Sequence, residues 1–83
     1  MEQRTQNKQR QAELRKLQKQ EVELLNAIDG LENEKSRLEA ELSLPEVYSN
    51  GEKARAVKQK LDECISVLKA RTSEWEAVTA LIN

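Results

Sequence analysis

Histidine and phenylalanine are absent from this sequence of 83 residues, and cysteine, proline, tryptophan and tyrosine occur once each. Without histidine, and with Cys64 alone, the chain has no imidazole base, no intramolecular disulfide and no paired-cysteine metal spacing. Two isolated glycines build no phosphate-cradling loop, and no Ser, His and Asp set is present to activate a nucleophile. Carboxylates are plentiful, but on a helical rod they project into water, with no cleft to raise a pKa. We therefore expect no catalysis, metal or cofactor in this chain. No apolar run is long enough to span a bilayer and nothing resembles a secretory signal, so we expect a cytoplasmic protein without membrane contact. A start at Met1 followed directly by polar residues reads as a piece of a larger protein.

Charged residues make up 35% of the chain and aromatics 2%, which leaves Leu, Val, Ile and Ala to build the core. That balance suits long paired helices better than a thick globular interior. The spacing of the apolar residues agrees. In a heptad lettered a to g, positions a and d are filled by Leu14, Leu17, Leu24, Ile28, Leu31, Leu38 and Leu42, interrupted by Glu21 and Lys35. A second series runs through Ala54, Val57, Leu61, Cys64, Leu68, Trp75, Val78 and Ile82, interrupted once by Arg71. A three-then-four spacing sustained over about four heptads in each segment marks a coiled coil and excludes a strand.

Between the two series, Pro45 and the Asn50-Gly51 pair end the first helix: Pro45 has no amide hydrogen and disfavours helical geometry at Leu44. Ser49 with Glu52 reads as a capping box for the second helix. One break between two equal heptad segments favours folding back. The sequence thus predicts an all-α antiparallel two-helix coiled-coil hairpin over 14–83: helix 14–42, loop 43–51, helix 52–83. Residues 1–13 have almost no apolar members and read as a basic linker or a frayed helical extension. Paired residues should sum to about 96, which sets Leu31 near Cys64, Leu14 with Ile82, and Glu21 within about one turn of Arg71. An ion pair between Glu21 and Arg71 is expected to hold the register more than to add stability. A monomer should win at low concentration, although sustained heptads also permit a swapped dimer.

Cys64 at a seam position is expected to be a small buried hydrophobe, Trp75 to lock the open end, and Tyr48 to fold over Leu42 and Val57 at the tip. Gly30 lies inside the first helix, where it is tolerated at a cost of about 1 kcal/mol.

The net charge of −1 conceals three blocks. Residues 1–20 carry six bases against two acids, residues 21–42 seven acids against two bases, and residues 43–83 six of each. Any anion-binding surface must be local. Two clusters stand out: Lys53, Arg55, Lys58 and Lys60 at the start of the second helix, and Arg15, Lys16 and Lys19, with Arg4, Lys8 and Arg10, at the start of the first. Either could neutralise several phosphates in a salt-dependent, sequence-tolerant way. The plainer reading is a solvated face with intrahelical pairs such as Glu13 with Lys16 or Lys58 with Asp62.

The run Ile28-Asp29-Gly30-Leu31-Glu32-Asn33-Glu34-Lys35, then Leu38-Glu39-Ala40-Glu41-Leu42, then Pro45 to Lys53 with its Pro-x-x-Tyr, and finally Trp75-Glu76 resembles the C-terminal domain of Uup-like ABC-F ATPases over residues 14–83. That resemblance implies a coiled-coil tail behind two ATP-binding cassettes, in proteins linked to the ribosome, with a tail associated with DNA binding. ATP and magnesium would belong to the parent's cassettes, and residues 1–13 would be the linker from them. The acidic block at 21–42 departs from a uniformly cationic tail. Two functions follow as expectations: an accessory, non-catalytic domain that binds DNA or RNA without sequence preference through the basic clusters, or a spacer whose tip contacts the parent cassettes or the ribosome. The C-terminal arm of valyl-tRNA synthetase has a similar architecture, but the Pro-x-x-Tyr and Trp-Glu pattern argues against it.

Overall fold

The structure is a computed structural model that describes the backbone of residues 2–83 and the side chains of residues 8–83. Three helices follow one another: α1 (Glu2–Leu42), a single turn α2 (Pro45–Tyr48) and α3 (Gly51–Ile82). The chain runs up α1, turns at α2 and returns along α3 as an antiparallel hairpin 71 Å long and about 15 Å across. The backbone is helical from Glu2 onward, while Met1 and the side chain of Arg4 lie outside the described residues.

The heptad pattern predicts which side chains the helices bury, and burial follows it. Leu38 is 2% exposed and Cys64 7%. The remaining seam positions from Leu17 to Leu42 and from Ala54 to Ile82 are half-buried, including the polar members Glu21, Lys35 and Arg71. So few residues are fully enclosed because a two-helix coil has a single seam: each knob meets one facing helix and no third layer closes over it. Leu14, at the open end of that seam, is 40% exposed.

Register is set where burial is deepest. The Cys64 thiol donates to the Leu31 carbonyl at 3.3 Å, so paired numbers sum to 95, within one residue of expectation. Cys64 is thus a small buried seam residue with its weak donor satisfied. This register sets the last residue of α3, Ile82, level with residue 13. Residues 2–12 of α1 lie beyond that level.

The connection 43–51 differs from the expected plain loop. Leu44 is extended (φ −75°, ψ 131°), as a residue before proline must be, and Pro45 then opens the one-turn α2 with its preset φ. The Ser49 hydroxyl donates to the Pro45 carbonyl and so closes α2. Ser49 does not cap α3, as the Ser49-Glu52 spacing had suggested. Asn50 does, its Oδ1 accepting from the amides of Glu52 at 3.1 Å and Lys53 at 3.2 Å. Gly51 becomes the first residue of α3 with a negative φ, so its left-handed freedom is not used. Tyr48 does not fold over Leu42 and Val57; it is 62% exposed.

The expected pair between Glu21 and Arg71 is not formed. Arg71 reaches Glu74 at 3.1 Å on its own helix. Glu21 lies level with Glu74, one turn nearer the open end than Arg71, whereas Glu74 is an i,i+3 neighbour of Arg71 on the same helix face. Nε of Arg71 and Nε1 of Trp75 are buried without hydrogen-bond partners, so this stretch of seam holds unmet polar groups.

Three stability predictions follow. A Cβ at Gly30 meets no atom within 4 Å, so Gly30→Ala should stabilise by about 1 kcal/mol, read as a raised thermal midpoint by circular dichroism. Asn50→Ala should cost about 1 kcal/mol while Ser49→Ala costs less; the reverse order in denaturant titration would reinstate Ser49 as the cap. Arg71→Leu should preserve the register and stabilise by about 1 kcal/mol or more by removing an unpartnered buried donor, and a lower denaturation midpoint would show that Arg71 supports the seam.

Candidate nucleic-acid interface

All seven bases singled out from the sequence are exposed: Arg15, Lys16 and Lys19 on α1, and Lys53, Arg55, Lys58 and Lys60 on α3. The hairpin keeps the two clusters apart. With 1.5 Å of rise per residue, they lie on the order of 25–40 Å from each other along the rod. One cluster therefore sits near the open end and the other near the tip.

Their heptad positions differ as well. Arg15, Lys16 and Lys19 occupy b, c and f, the outer face of α1, which α3 does not overlook. Lys53 and Lys60 occupy g and Lys58 occupies e, the edges that flank the seam, and only Arg55, at b, points outward. In an antiparallel pair, edge positions face like-lettered edges. With this register the nearest like-lettered residues are Glu41 for Lys53, Glu34 for Lys60 and Glu39 for Lys58, each within two residues of level. The tip lysines thus share their neighbourhood with the end of the acidic block. Glu52 in the first turn of α3 complements the helix dipole that the neighbouring lysines oppose.

Folding therefore redistributes the charge. The tip half, residues 32–63, holds six bases and eight acids, a net of −2. The middle, residues 21–31 with the facing 64–74, holds two bases and four acids, also −2. At the open end, residues 8–20 with the facing 75–83 hold five bases and two acids, a net of +3.

Ion pairs among the described residues are few and local: Lys35 with Glu39, Arg37 with Glu34, and Arg71 with Glu74. The hydrogen bond and charge of Glu34 hold the Arg37 guanidinium above its usual range. Neither Glu13 with Lys16 nor Lys58 with Asp62 is among these pairs, so the solvated-face reading lacks the intrahelical pairing it expected.

The remaining surface offers little chemistry. A solvent-open groove of about 550 Å³ runs between Gln20, Leu24 and Ala27 of α1 and Arg71, Ala77 and Val78 of α3, away from the tip cluster. Among the described residues there is no grouping of three His, Cys, Asp or Glu side chains able to hold a metal, and no helix is long and apolar enough to cross a membrane. Trp75 lies half-buried in the seam, as its heptad position implied. What the residue-type reading missed is the part played by Glu34, Glu39 and Glu41. Applying the predicted register to charges as well as to leucines would have found it.

No curated protein and no solved structure matches the chain. The family model of the ABC transporter C-terminal domain does match it, over residues 7–80, a span that takes in both long helices, the tip and the open-end bases Lys8 to Lys19. The chain belongs to the ABC transporter C-terminal domain family, the accessory C-terminal domain of ABC-type ATPases.

Proposed function

We propose that this domain is the accessory tail of a Uup-like ABC-F ATPase and that it binds nucleic acid, DNA above all, without sequence preference. The parent's cassettes would carry ATP, magnesium and the ATPase chemistry, and the protein would work in the cytoplasm. The observation that carries this reading is the set of seven exposed bases on a rigid rod, none of them ion-paired to a carboxylate among the described residues. Exposed cations on a stiff scaffold neutralise phosphates and release counterions, which requires no pocket and reads no base edge.

A second reading rests on the tip. Tyr48 at 62% and Leu44 at 43% exposure present apolar surface beside the turn, and such a tip suits contact with the parent cassettes or the ribosome.

Titration of the chain into a labelled duplex DNA and a structured RNA at low and physiological salt tests both readings. The first expects saturable binding with a dissociation constant of about 10⁻⁴ to 10⁻⁶ M at physiological salt, weakening steeply as salt rises. Absence of binding even at low salt would sink it, and Tyr48→Ala in the whole ATPase would then be expected to impair activity.

A further inference from the structure

We infer that the face that meets the phosphates is the open end of α1, formed by Lys8, Arg15, Lys16 and Lys19, and that the tip cluster contributes little. The inference rests on the nucleic-acid reading and narrows it to one end of the rod. Three observations carry it.

Charge comes first. The open end is net +3 while the tip half is net −2, and a polyanion approaching the tip meets Glu34, Glu39 and Glu41 across the seam from the lysines it would contact. Opposite charges on neighbouring edges of an exposed surface attract weakly, yet their fields offset one another at the distance of an approaching phosphate. Orientation comes second. Lys8, Arg15, Lys16 and Lys19 occupy b, c and f, the outer face of one helix, whereas Lys53, Lys58 and Lys60 are divided between the two edges of α3. No single phosphate strand can run past all of the tip lysines. Reach comes third. Lys8 to Lys19 spans about 16 Å of helix, over which a B-form strand presents about five phosphates.

Two triple variants of equal charge change separate the faces: Arg15→Ala, Lys16→Ala, Lys19→Ala at the open end, and Arg55→Ala, Lys58→Ala, Lys60→Ala near the tip. All six positions are exposed and alanine is a strong helix former, so both should keep full helicity by circular dichroism. With a labelled duplex of about 20 base pairs as the probe, the open-end variant should bind tenfold or more weakly, with a salt slope shallower by about two to three. The tip variant should stay within about threefold of the parent chain and keep its slope. Equal losses would assign binding to net charge and not to a face, and a larger loss from the tip variant would reverse the assignment; either overturns the inference. If the unaltered chain binds no duplex at low salt, the nucleic-acid reading itself fails, an outcome distinct from both.

Discussion

Everything in this hairpin hangs on one seam. Two helices alone can enclose only the side chains that point directly between them, and the interlock is tightest around Leu38 and Cys64, where the thiol reaches the Leu31 carbonyl. That contact sets which residues lie level along the rod, and the level decides which charges become neighbours. A slip of one heptad would move Lys60 from Glu34 to Glu41 and would leave Trp75 facing a different partner. The bistable possibilities of such a seam are limited by the tip, where Pro45, the one-turn α2 and the Asn50 cap hold the two helices at a set offset.

The two halves of the seam are not alike. Toward the tip it carries Leu31, Leu38, Cys64 and Leu61, and its one polar member, Lys35, leaves to pair with Glu39. Toward the open end it carries Glu21 and Arg71 beside Trp75, with buried nitrogens that find no partner. Unmet polar groups weaken packing wherever they are enclosed. Cohesion is therefore concentrated near the tip, while the cationic surface lies at the looser end. The outward-facing bases Arg15, Lys16 and Lys19 thus sit on the less cohesive half of the rod.

The geometry of the tip shows how local chemistry can be read correctly in kind and wrongly in residue. Proline and a polar pair announced the reversal, and a capping side chain was needed because the first amides of a helix have no intrahelical acceptor. Both Ser49 and Asn50 could supply the oxygen. The choice fell to Asn50 because it is the extended residue directly before Gly51, while Ser49 keeps helical dihedrals at the close of α2, a turn too short to be announced by any apolar period. Tyr48, the last residue of α2, is 62% exposed where the sequence suggested packing.

Taken by itself, the sequence determined the fold class, the two long helices, the seam residues and the reversal, because heptad periodicity and a lone proline act through nearest neighbours and helix geometry. It also fixed that the chain carries no histidine and a single cysteine, so neither an imidazole nor a paired thiol belongs to its chemistry. Tertiary structure decided the rest. The acidic block of α1 and the basic start of α3 are ten or more residues apart in the chain, and only folding back set Glu34, Glu39 and Glu41 against the lysines of α3. Electrostatic character belongs to neighbours in space, and in a hairpin those neighbours are assigned by the register of one seam.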